Sequence, residues 1–267
     1  MTSRVTRSAG LVLLLALTTA ACGSSRNQVP PTSAEADKFL FDKGTQALQD
    51  KKWMAAREYF RQIVDNYPQS TYRPDAKLAV GDAFIGEHTT EALVLAVNEF
   101  REFLTFYPTS PRADYAQFRL ASALAEQMLA PERDQTNTKE AVKELQVFID
   151  RYPNSSIMPE ARALYRKAKD RLSEAGYRVG FFYYRNRYWA GAIDRFREVL
   201  RTDPGYTDRD AVYYHLAESL LRLNTEASKA EALPYYERLL KEFEQSSYLQ
   251  SARRRVEELK GATGAQR

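Results

Sequence analysis

The residue with the most distinctive chemical setting is Cys22, the only cysteine among 267 residues. It follows a segment that begins with the basic residues Arg4 and Arg7, continues as an apolar stretch over residues 9–17 and ends in small residues. Secretory signals have this composition. A single cysteine cannot form an intramolecular disulfide, and an unpaired thiol in an exported chain needs a chemical explanation. Acylation of the sulfur supplies one.

The junction before Cys22 resembles the bacterial lipobox, in which the cysteine is diacylated and becomes the mature N-terminus. It departs from that motif at Thr19, where leucine is usual. The apolar stretch is too short to cross a bilayer as a helix, whereas two acyl chains hold a protein at a membrane durably. We expect a lipoprotein signal peptide at residues 1–21, with an ordinary signal peptide and an accidental thiol as the alternative. Gly23 is not the aspartate that retains lipoproteins in the inner membrane, which favours the outer membrane.

Enzyme chemistry finds little support elsewhere in the chain. The two histidines, His88 and His215, lack His-Glu-x-x-His spacing, and one cysteine cannot form a metal-binding pair. His215 and Glu218 lie one helical turn apart and offer two metal ligands at most. No glycine-rich phosphate loop or Gly-x-Ser-x-Gly elbow is present. We expect no catalysis, no cofactor and no bound metal.

Composition and charge fit a mostly helical body without a nucleic-acid partner. Charged residues make up 28% of the chain, and glycine and proline number 11 each. Loss of Arg4 and Arg7 with the signal leaves 37 basic against 35 acidic residues, a net charge of +2. The only tight basic cluster is Arg253 to Arg255, whereas a nucleic-acid binder usually presents a basic face. We expect this cluster near the end of the last helix, where cations complement the macrodipole.

The chain repeats itself about every 40 residues. The repeat markers are Tyr67-Pro68, Tyr107-Pro108, Tyr152-Pro153, Asp203-Pro204 and the degenerate Phe243-Glu244. Twelve residues before the second member of each marker lies an alanine: Ala56, Ala96, Ala141, Ala192 and Ala232. A large apolar residue follows each alanine at +4, and another at +7, so that these positions share one helical face.

The repeat unit reads as helix, turn, helix and stop. The proline of the marker ends one helix, and a small apolar residue eight positions later begins the next in equivalent phase. The spacing resembles the tetratricopeptide repeat, with best matches at Gly44, Trp53, Ala56, Phe60 and Pro68 and at Gly180, Trp189, Ala192, Phe196 and Pro204. We predict an all-α fold, an α-solenoid of about five tetratricopeptide-like helix pairs with a terminal capping helix.

Two departures from the repeat indicate local elaboration. The marker spacings are 40, 45, 51 and 40 residues, against about 34 in the standard unit. An insertion around residues 130–138 reads as a loop, and residues 159–186 predict one long helix that joins two halves. Gly176 and Gly180 argue against the continuity of that helix, since each costs roughly 1 kcal/mol in a helix.

These patterns divide the chain into five segments. They are the signal peptide at 1–21, a short linker at 22–35, repeats 1–3 at 36–156, the long connecting helix with repeats 4–5 at 157–260, and a disordered tail at 261–267.

Residues 133–156, with the sequence RDQTNTKEAVKELQVFIDRYPNSS, are followed by Lys169 to Leu172 and then by Tyr183-Tyr184. Their order and spacing resemble the BamD family of tetratricopeptide lipoproteins, which belong to the outer-membrane β-barrel assembly machinery. The resemblance implies a lipid-anchored protein on the periplasmic face of the outer membrane. It also implies three kinds of partner: the POTRA region of a BamA-like barrel subunit, other assembly-machinery lipoproteins and unfolded outer-membrane protein precursors.

The resemblance also assigns two candidate surfaces, because first helices line the inner side of such a solenoid. The N-terminal repeats would bind precursor peptides through Phe41, Leu48, Ile85, His88 and Met128. The C-terminal repeats would dock the machinery through Tyr177, Phe181, Tyr184, Arg195 and Tyr214. The alternative for each aromatic residue is a place in the core between helices, and for Arg195 an ordinary place on the surface.

Other binding proteins fit parts of the pattern. A pilotin-like lipoprotein that escorts a secretin or pilus component would share the lipid and the repeats. A Tol-associated scaffold would normally carry a coiled coil before its repeats, and residues 23–38 have no heptads. A peptidoglycan-linked scaffold has no cell-wall motif in its favour.

Overall fold

The computed structural model describes residues 35–264, and all regular elements in this range are α-helices. The helices are α1 (Ala36–Gln49), α2 (Trp53–Asn66), α3 (Arg73–Glu87), α4 (Thr90–Phe106), α5 (Ala113–Glu126), α6 (Thr136–Arg151), α7 (Met158–Arg185), α8 (Trp189–Thr202), α9 (Arg209–Leu223), α10 (Glu226–Glu242) and α11 (Leu249–Gly264). None of these helices is both long and apolar enough to span a bilayer. Cys22, the predicted signal peptide and linker residues 22–34 lie outside the described residues.

The helices form the predicted solenoid. Five pairs follow one another, from α1 with α2 to α9 with α10, and α11 packs against α10 as the terminal cap. Consecutive helices from α2 to α11 are in contact, and the first helices α3, α5, α7 and α9 also contact one another in turn.

The repeat register holds in all five pairs. The five alanines that precede the markers are fully buried: Ala56, Ala96, Ala141, Ala192 and Ala232. The large residues at +4 and +7 are buried beside them: Phe60, Ile63, Phe100, Phe103, Leu145, Phe148, Phe196, Val199, Tyr236 and Leu239. The residues that restart each following helix are buried as well: Ala76, Ala116, Ala161, Val212 and Ala252. Small residues thus let the helices approach, and large neighbours fill the remaining space.

Each second helix ends in the same way. The backbone N–H of the first marker residue donates to the carbonyl of the buried residue four positions earlier, as in Tyr67 to Ile63 at 3.0 Å and Tyr107 to Phe103 at 2.8 Å. In four of the five pairs the next residue is a proline, which has no N–H with which to continue the ladder.

Asp203 takes the place of tyrosine in the fourth marker and has its own partners. It is buried, and it accepts hydrogen bonds from the Arg166 guanidinium and, at 2.6 Å, from the Ser173 hydroxyl. Burial raises the pKa of Asp203, but the bonds from Arg166 and Ser173 outweigh burial and hold it below the ordinary value. The variant marker therefore ties α7 to the end of α8.

A hydrogen-bonded clamp that the sequence analysis missed joins successive pairs. Ser155, two residues after a marker proline, accepts the N–H of Ile157 at 3.2 Å and donates to Asp114 at 2.6 Å. Ser246 repeats the arrangement with Asp210 at 2.6 Å. Both aspartates lie in the first turn of a first helix, where a carboxylate also complements the macrodipole. The available signal was the serine that stands two residues after four of the five markers, with Tyr206 in its place after the fourth.

The long helix α7 is continuous, as predicted, over 28 residues. The marker spacing of 51 exceeds the shortest spacing by eleven residues, which is three helical turns. A whole number of turns returns the chain to the same face, so the register survives. A Cβ atom on Gly180 would lie 2.6 Å from the Phe196 ring, and one on Gly176 would lie 2.8 Å from Val199. These glycines therefore permit close contact with α8, which offsets their low helix propensity.

Three boundaries differ from the sequence analysis. The insertion in the third repeat is a loop at residues 127–135, and α6 begins at Thr136 within the range expected to be loop. Residues 261–264 are helical, although a disordered tail was expected from residue 261. Arg253 to Arg255 lie in the first half of α11, so the expectation that they complement the end of this helix is wrong.

We predict that Gly180→Ala lowers the melting temperature. The added methyl group has to displace the buried Phe196 ring, and overpacking of this kind costs about 1–3 kcal/mol. The gain in helix propensity is at most about 1 kcal/mol. Gly261→Ala is the matched control, because a Cβ atom there meets nothing within 4 Å in α11. We expect no loss of stability in that variant. A rise in melting temperature for both variants would contradict the close packing of α7 on α8.

Candidate functional site

Aromatic side chains of the C-terminal half converge on the buried ring of His215, which is 7% exposed. Six rings lie with their centroids 5.0–6.2 Å from that of His215: Tyr177, Phe181, Tyr184, Phe196, Tyr214 and Tyr248. We call these seven residues the His215 cluster. It joins α7, α8, α9 and the turn before α11.

Helical periodicity explains why α7 contributes three of these rings. Tyr177, Phe181 and Tyr184 are spaced by four and three residues, so they share one face of the helix. Tyr177 and Phe181 are stacked at 5.9 Å, and Phe181 and Tyr184 at 6.1 Å. Tyr177, Phe181, Tyr184 and Tyr214 are each half-buried. Each ring thus has one side in the packed interior and another part within reach of solvent.

The surroundings of His215 define its protonation state. Its Nδ1 atom lies 2.7 Å from the carbonyl oxygen of Ala211, one turn earlier on α9. A carbonyl only accepts, so Nδ1 carries the proton and donates. Burial lowers the pKa of His215, against the opposing effects of that bond and of the Glu218 and Asp210 charges. The imidazole is therefore neutral near pH 7.

Tyr177, Tyr184 and Tyr248 of the cluster are neutral phenols. Burial raises the pKa values of Tyr177, Tyr184 and Tyr248 above the ordinary range. The Tyr177 hydroxyl lies 3.2 Å from Nδ1 of His215 and also hydrogen bonds with Tyr248. The cluster thus presents uncharged aromatic faces and hydroxyl groups. Such groups suit recognition of another protein better than acid–base chemistry, because buried aromatic anchors dominate many interfaces.

Glu218 forms a buried ion pair with Arg255. This buried carboxylate accepts hydrogen bonds from the Arg255 guanidinium at 2.8 and 3.1 Å and from the Tyr236 hydroxyl at 2.7 Å. Burial raises the pKa of Glu218, but the bonds from Arg255 and Tyr236 outweigh burial and hold it below the ordinary value. Arg255 thereby ties the capping helix to α9. Among residues 35–264, no group of three potential ligands is arranged to hold a metal ion.

The structure brings most of the predicted docking residues together. Tyr177, Phe181, Tyr184 and Tyr214 all belong to the His215 cluster, together with Tyr248, which the sequence analysis did not identify. The helical spacing of Tyr177, Phe181 and Tyr184 on α7 was the signal for grouping those three residues. Tyr248 lies after α10 in the sequence, so no local spacing connects it to the other rings. Arg195 lies instead on the surface of α8, where it pairs with Glu198 at 3.0 Å.

The predicted peptide-binding residues of the N-terminal half are more dispersed. Leu48 lies at the C-terminal end of α1, His88 directly follows α3, and Met128 lies two residues past the end of α5. His88 adopts a left-handed conformation with φ of 53°, and its Nδ1 atom lies 3.1 Å from Glu126. These residues therefore mark one edge of the first three pairs.

Two residues of the same set have other surroundings. Ile85 is only 4% exposed, so its side chain packs in the core and offers no free surface to a peptide. Phe41 lies in the first half of α1, about two turns from Leu48, and stacks on Tyr72 at 5.0 Å. The five predicted residues thus do not form one continuous groove.

Comparison with known proteins gives a consistent result. A family model described as YfiO, outer membrane lipoprotein, matches residues 33–234. The outer membrane protein assembly factor BamD of Caulobacter vibrioides is 27% identical over 228 residues, covering 84% of this chain and 73% of its own. The protein of the same name from Vibrio cholerae is 26% identical over 193 residues, with coverage of 68% and 78%. A solved complex of the TPR2AB domain of yeast Sti1 has 13% identity, coverage of 86% and 85%, and a TM-score of 0.49.

The buried imidazole leads to a prediction about pH. The unfolded chain binds a proton at His215 near pH 6.5, whereas the folded chain binds it only at a lower pH. The stability that depends on neutral His215 is therefore present above about pH 6.5 and lost as the pH falls below it. Between pH 7.5 and 5.5 we therefore expect the contribution of this residue to the free energy of unfolding to decrease as the pH falls.

Urea unfolding of His215→Phe at both pH values measures this contribution. We expect the variant to lose less stability than the wild type on acidification. His88→Gln is the control for the other histidine, which is exposed. Equal losses in wild type and His215→Phe would show that the buried imidazole is not neutral.

Proposed function

Because the chain belongs to the YfiO family of outer membrane lipoproteins, we propose that it acts as an outer membrane protein assembly factor in the manner of BamD. The observation that carries the proposal is the family match over residues 33–234, together with relatives from Caulobacter and Vibrio that bear that name. Its role would be to bind a barrel-forming subunit and unfolded barrel precursors, and to support their folding and insertion into the outer membrane.

We propose that the protein is anchored through lipid on Cys22 and faces the periplasm. The apolar segment and the lone cysteine at its end support this arrangement. Acyl chains contribute about 0.8 kcal/mol per buried methylene, so two or more of them retain a protein at the membrane.

The His215 cluster and Arg195 form the proposed docking surface for the POTRA region of the barrel subunit. The half-buried tyrosines support this assignment, because rigid aromatic side chains supply large contact area at low entropic cost. Arg195 would add a charged contact from α8, where its side chain is 48% exposed. Other assembly-machinery lipoproteins are proposed to bind the same complex.

The N-terminal pairs are proposed to receive unfolded precursors. Leu48, His88 and Met128 supply apolar and polar groups along one edge, and Phe41 supplies a half-buried ring about two turns away on α1. An extended peptide needs this kind of open edge more than a closed pocket. Binding and positioning of chains would then be the whole activity, without a catalytic step.

Depletion of the protein in its own organism tests the proposed function. We expect the levels of all outer-membrane β-barrel proteins to fall together, as measured by quantitative mass spectrometry of the outer membrane. Loss of a single secretin with other barrels unchanged would instead establish the pilotin-like alternative. Re-expression of the wild-type chain is the control, and it should restore the profile.

Charge reversal on α8 tests the docking surface. We expect Arg195→Glu to weaken binding of the purified mature chain to a purified POTRA region by about tenfold or more. The variant removes a favourable charge at the contact and replaces it with the opposite charge. Arg197→Glu is the matched control, because Arg197 lies on the same helix with a similarly exposed side chain, 44% against 48%. Biolayer interferometry measures both. Equal affinities for the two variants would remove Arg195 from the interface.

A further inference from the structure

The three additional turns of α7 leave an apolar groove that the proposed function does not use. It has a volume of about 620 Å³ and lies where the C-terminal half of α7 meets the 127–135 loop and the start of α6. Its main lining residues are Leu172, Val179 and Phe182 of α7, with Pro131, Arg133 and Lys139 opposite. We call this feature the α7 groove. Its size falls in the range of pockets that accept side chains or small ligands.

The groove follows directly from the lengths of the helices. α7 has 28 residues and its neighbour α6 has 16, so α6 cannot cover all of α7. The 127–135 loop closes one side and is fixed to α7 by two contacts. Arg171 donates to the carbonyl of Leu129 at 3.0 Å, and Arg178 pairs with Glu132. The wall of the groove is therefore held in place before any partner arrives.

The floor of the groove is exposed and apolar. Leu172, Ala175, Val179 and Phe182 are spaced by three, four and three residues, which places them on one helical face. Val179 and Phe182 are 43% and 62% exposed, and they lie one turn apart on this face. Exposed apolar surface with a polar rim is characteristic of interaction sites.

The rim of the groove is positively charged. Glu132 is already paired with Arg178, which also pairs with Glu174 on its own helix. Arg133 and Lys139 form no ion pair among the described residues, although Lys139 lies within electrostatic reach of the exposed Asp134. Because Arg178 is balanced by two carboxylates, the positive charge left on the rim is that of Arg133 and Lys139. An occupant that carries carboxylates would complement this rim.

We propose that the α7 groove docks an apolar segment of a partner protein that carries acidic residues beside its apolar ones. The apolar side chains of the segment lie on Val179 and Phe182, and its carboxylates face Arg133 and Lys139. This site is separate from the His215 cluster, whose rings occupy a different face of α7. The proposal stands independently of the assembly role, because it rests on the length of α7 and on the charge of the rim.

A peptide titration against the full mature chain in detergent tests the proposal. The probe is a fluorescein-labelled peptide with leucine and phenylalanine interleaved with aspartate, and its twin carries lysine in place of aspartate. Fluorescence anisotropy reports binding. We expect the acidic peptide to bind the wild type and the lysine twin to bind at least about tenfold more weakly.

Two variants and one control locate the binding. Phe182→Ala should lower the affinity for the acidic peptide by about tenfold. Phe106→Ala, which removes a similarly exposed ring (68%) from α4, should leave that affinity unchanged. Arg133→Glu combined with Lys139→Glu should invert the preference, so that the lysine twin becomes the tighter ligand. Exposed side chains can be exchanged in this way without disturbing the core, and circular dichroism confirms the fold.

Three results would overturn the proposal. The first is the absence of binding of the acidic peptide at concentrations up to about 1 mM. A dissociation constant of that size corresponds to a binding free energy of about −4 kcal/mol. The second is equal binding by Phe182→Ala and Phe106→Ala, which would place the peptide elsewhere. The third is self-association of the wild type that Phe182→Ala abolishes, since the groove would then be an interface between two copies of this chain.

Discussion

The whole helical body depends on the close approach of paired helices over small residues. In each pair an alanine with no exposed surface sits where the two helices meet, and large apolar residues at +4 and +7 fill the space beside it. Interiors are packed at nearly crystalline density, so a larger residue at the alanine would separate the helices and a smaller residue at +4 would leave a cavity. Glycine has the same role for α7 against α8, because an added methyl group would clash with Phe196 at Gly180 and with Val199 at Gly176.

This constraint also determines which residues are free to bind partners. The register uses one face of each helix, so the remaining faces of the first helices can carry other side chains. In the C-terminal half those faces carry Tyr177, Phe181, Tyr184 and Tyr214, which pack on one side against the core. The longer α7 keeps the register because eleven residues amount to three turns, and the same extension uncovers the apolar face of the α7 groove. The proposed binding surfaces thus lie where a helix is lengthened or carries additional side chains while the buried repeat positions keep their register.

The sequence predicted those features that depend on local periodicity. The five buried alanines, the helix ends at the markers and the continuous α7 follow from spacing alone, and so does the grouping of Tyr177, Phe181 and Tyr184. What could not be predicted depends on contacts between distant segments. Arg255 pairs with Glu218, 37 residues earlier, and this long-range contact accounts for the position of Arg255 within α11. Ile85 was expected at a surface but is buried, because helical register places it on a side that a neighbouring helix covers.

The central claim, that this lipoprotein works as a component of the barrel assembly machinery, is tested most directly by purification of the protein from its own envelope. The full-length, lipidated chain would be isolated in detergent, washed with salt to remove weak electrostatic contacts, and analysed by quantitative mass spectrometry. Recovery of the POTRA-bearing barrel subunit in near-stoichiometric amounts is the expected result. Recovery of a secretin or a Tol component, with the barrel subunit absent, would contradict the assembly role and would make the repeats a scaffold for a different machine.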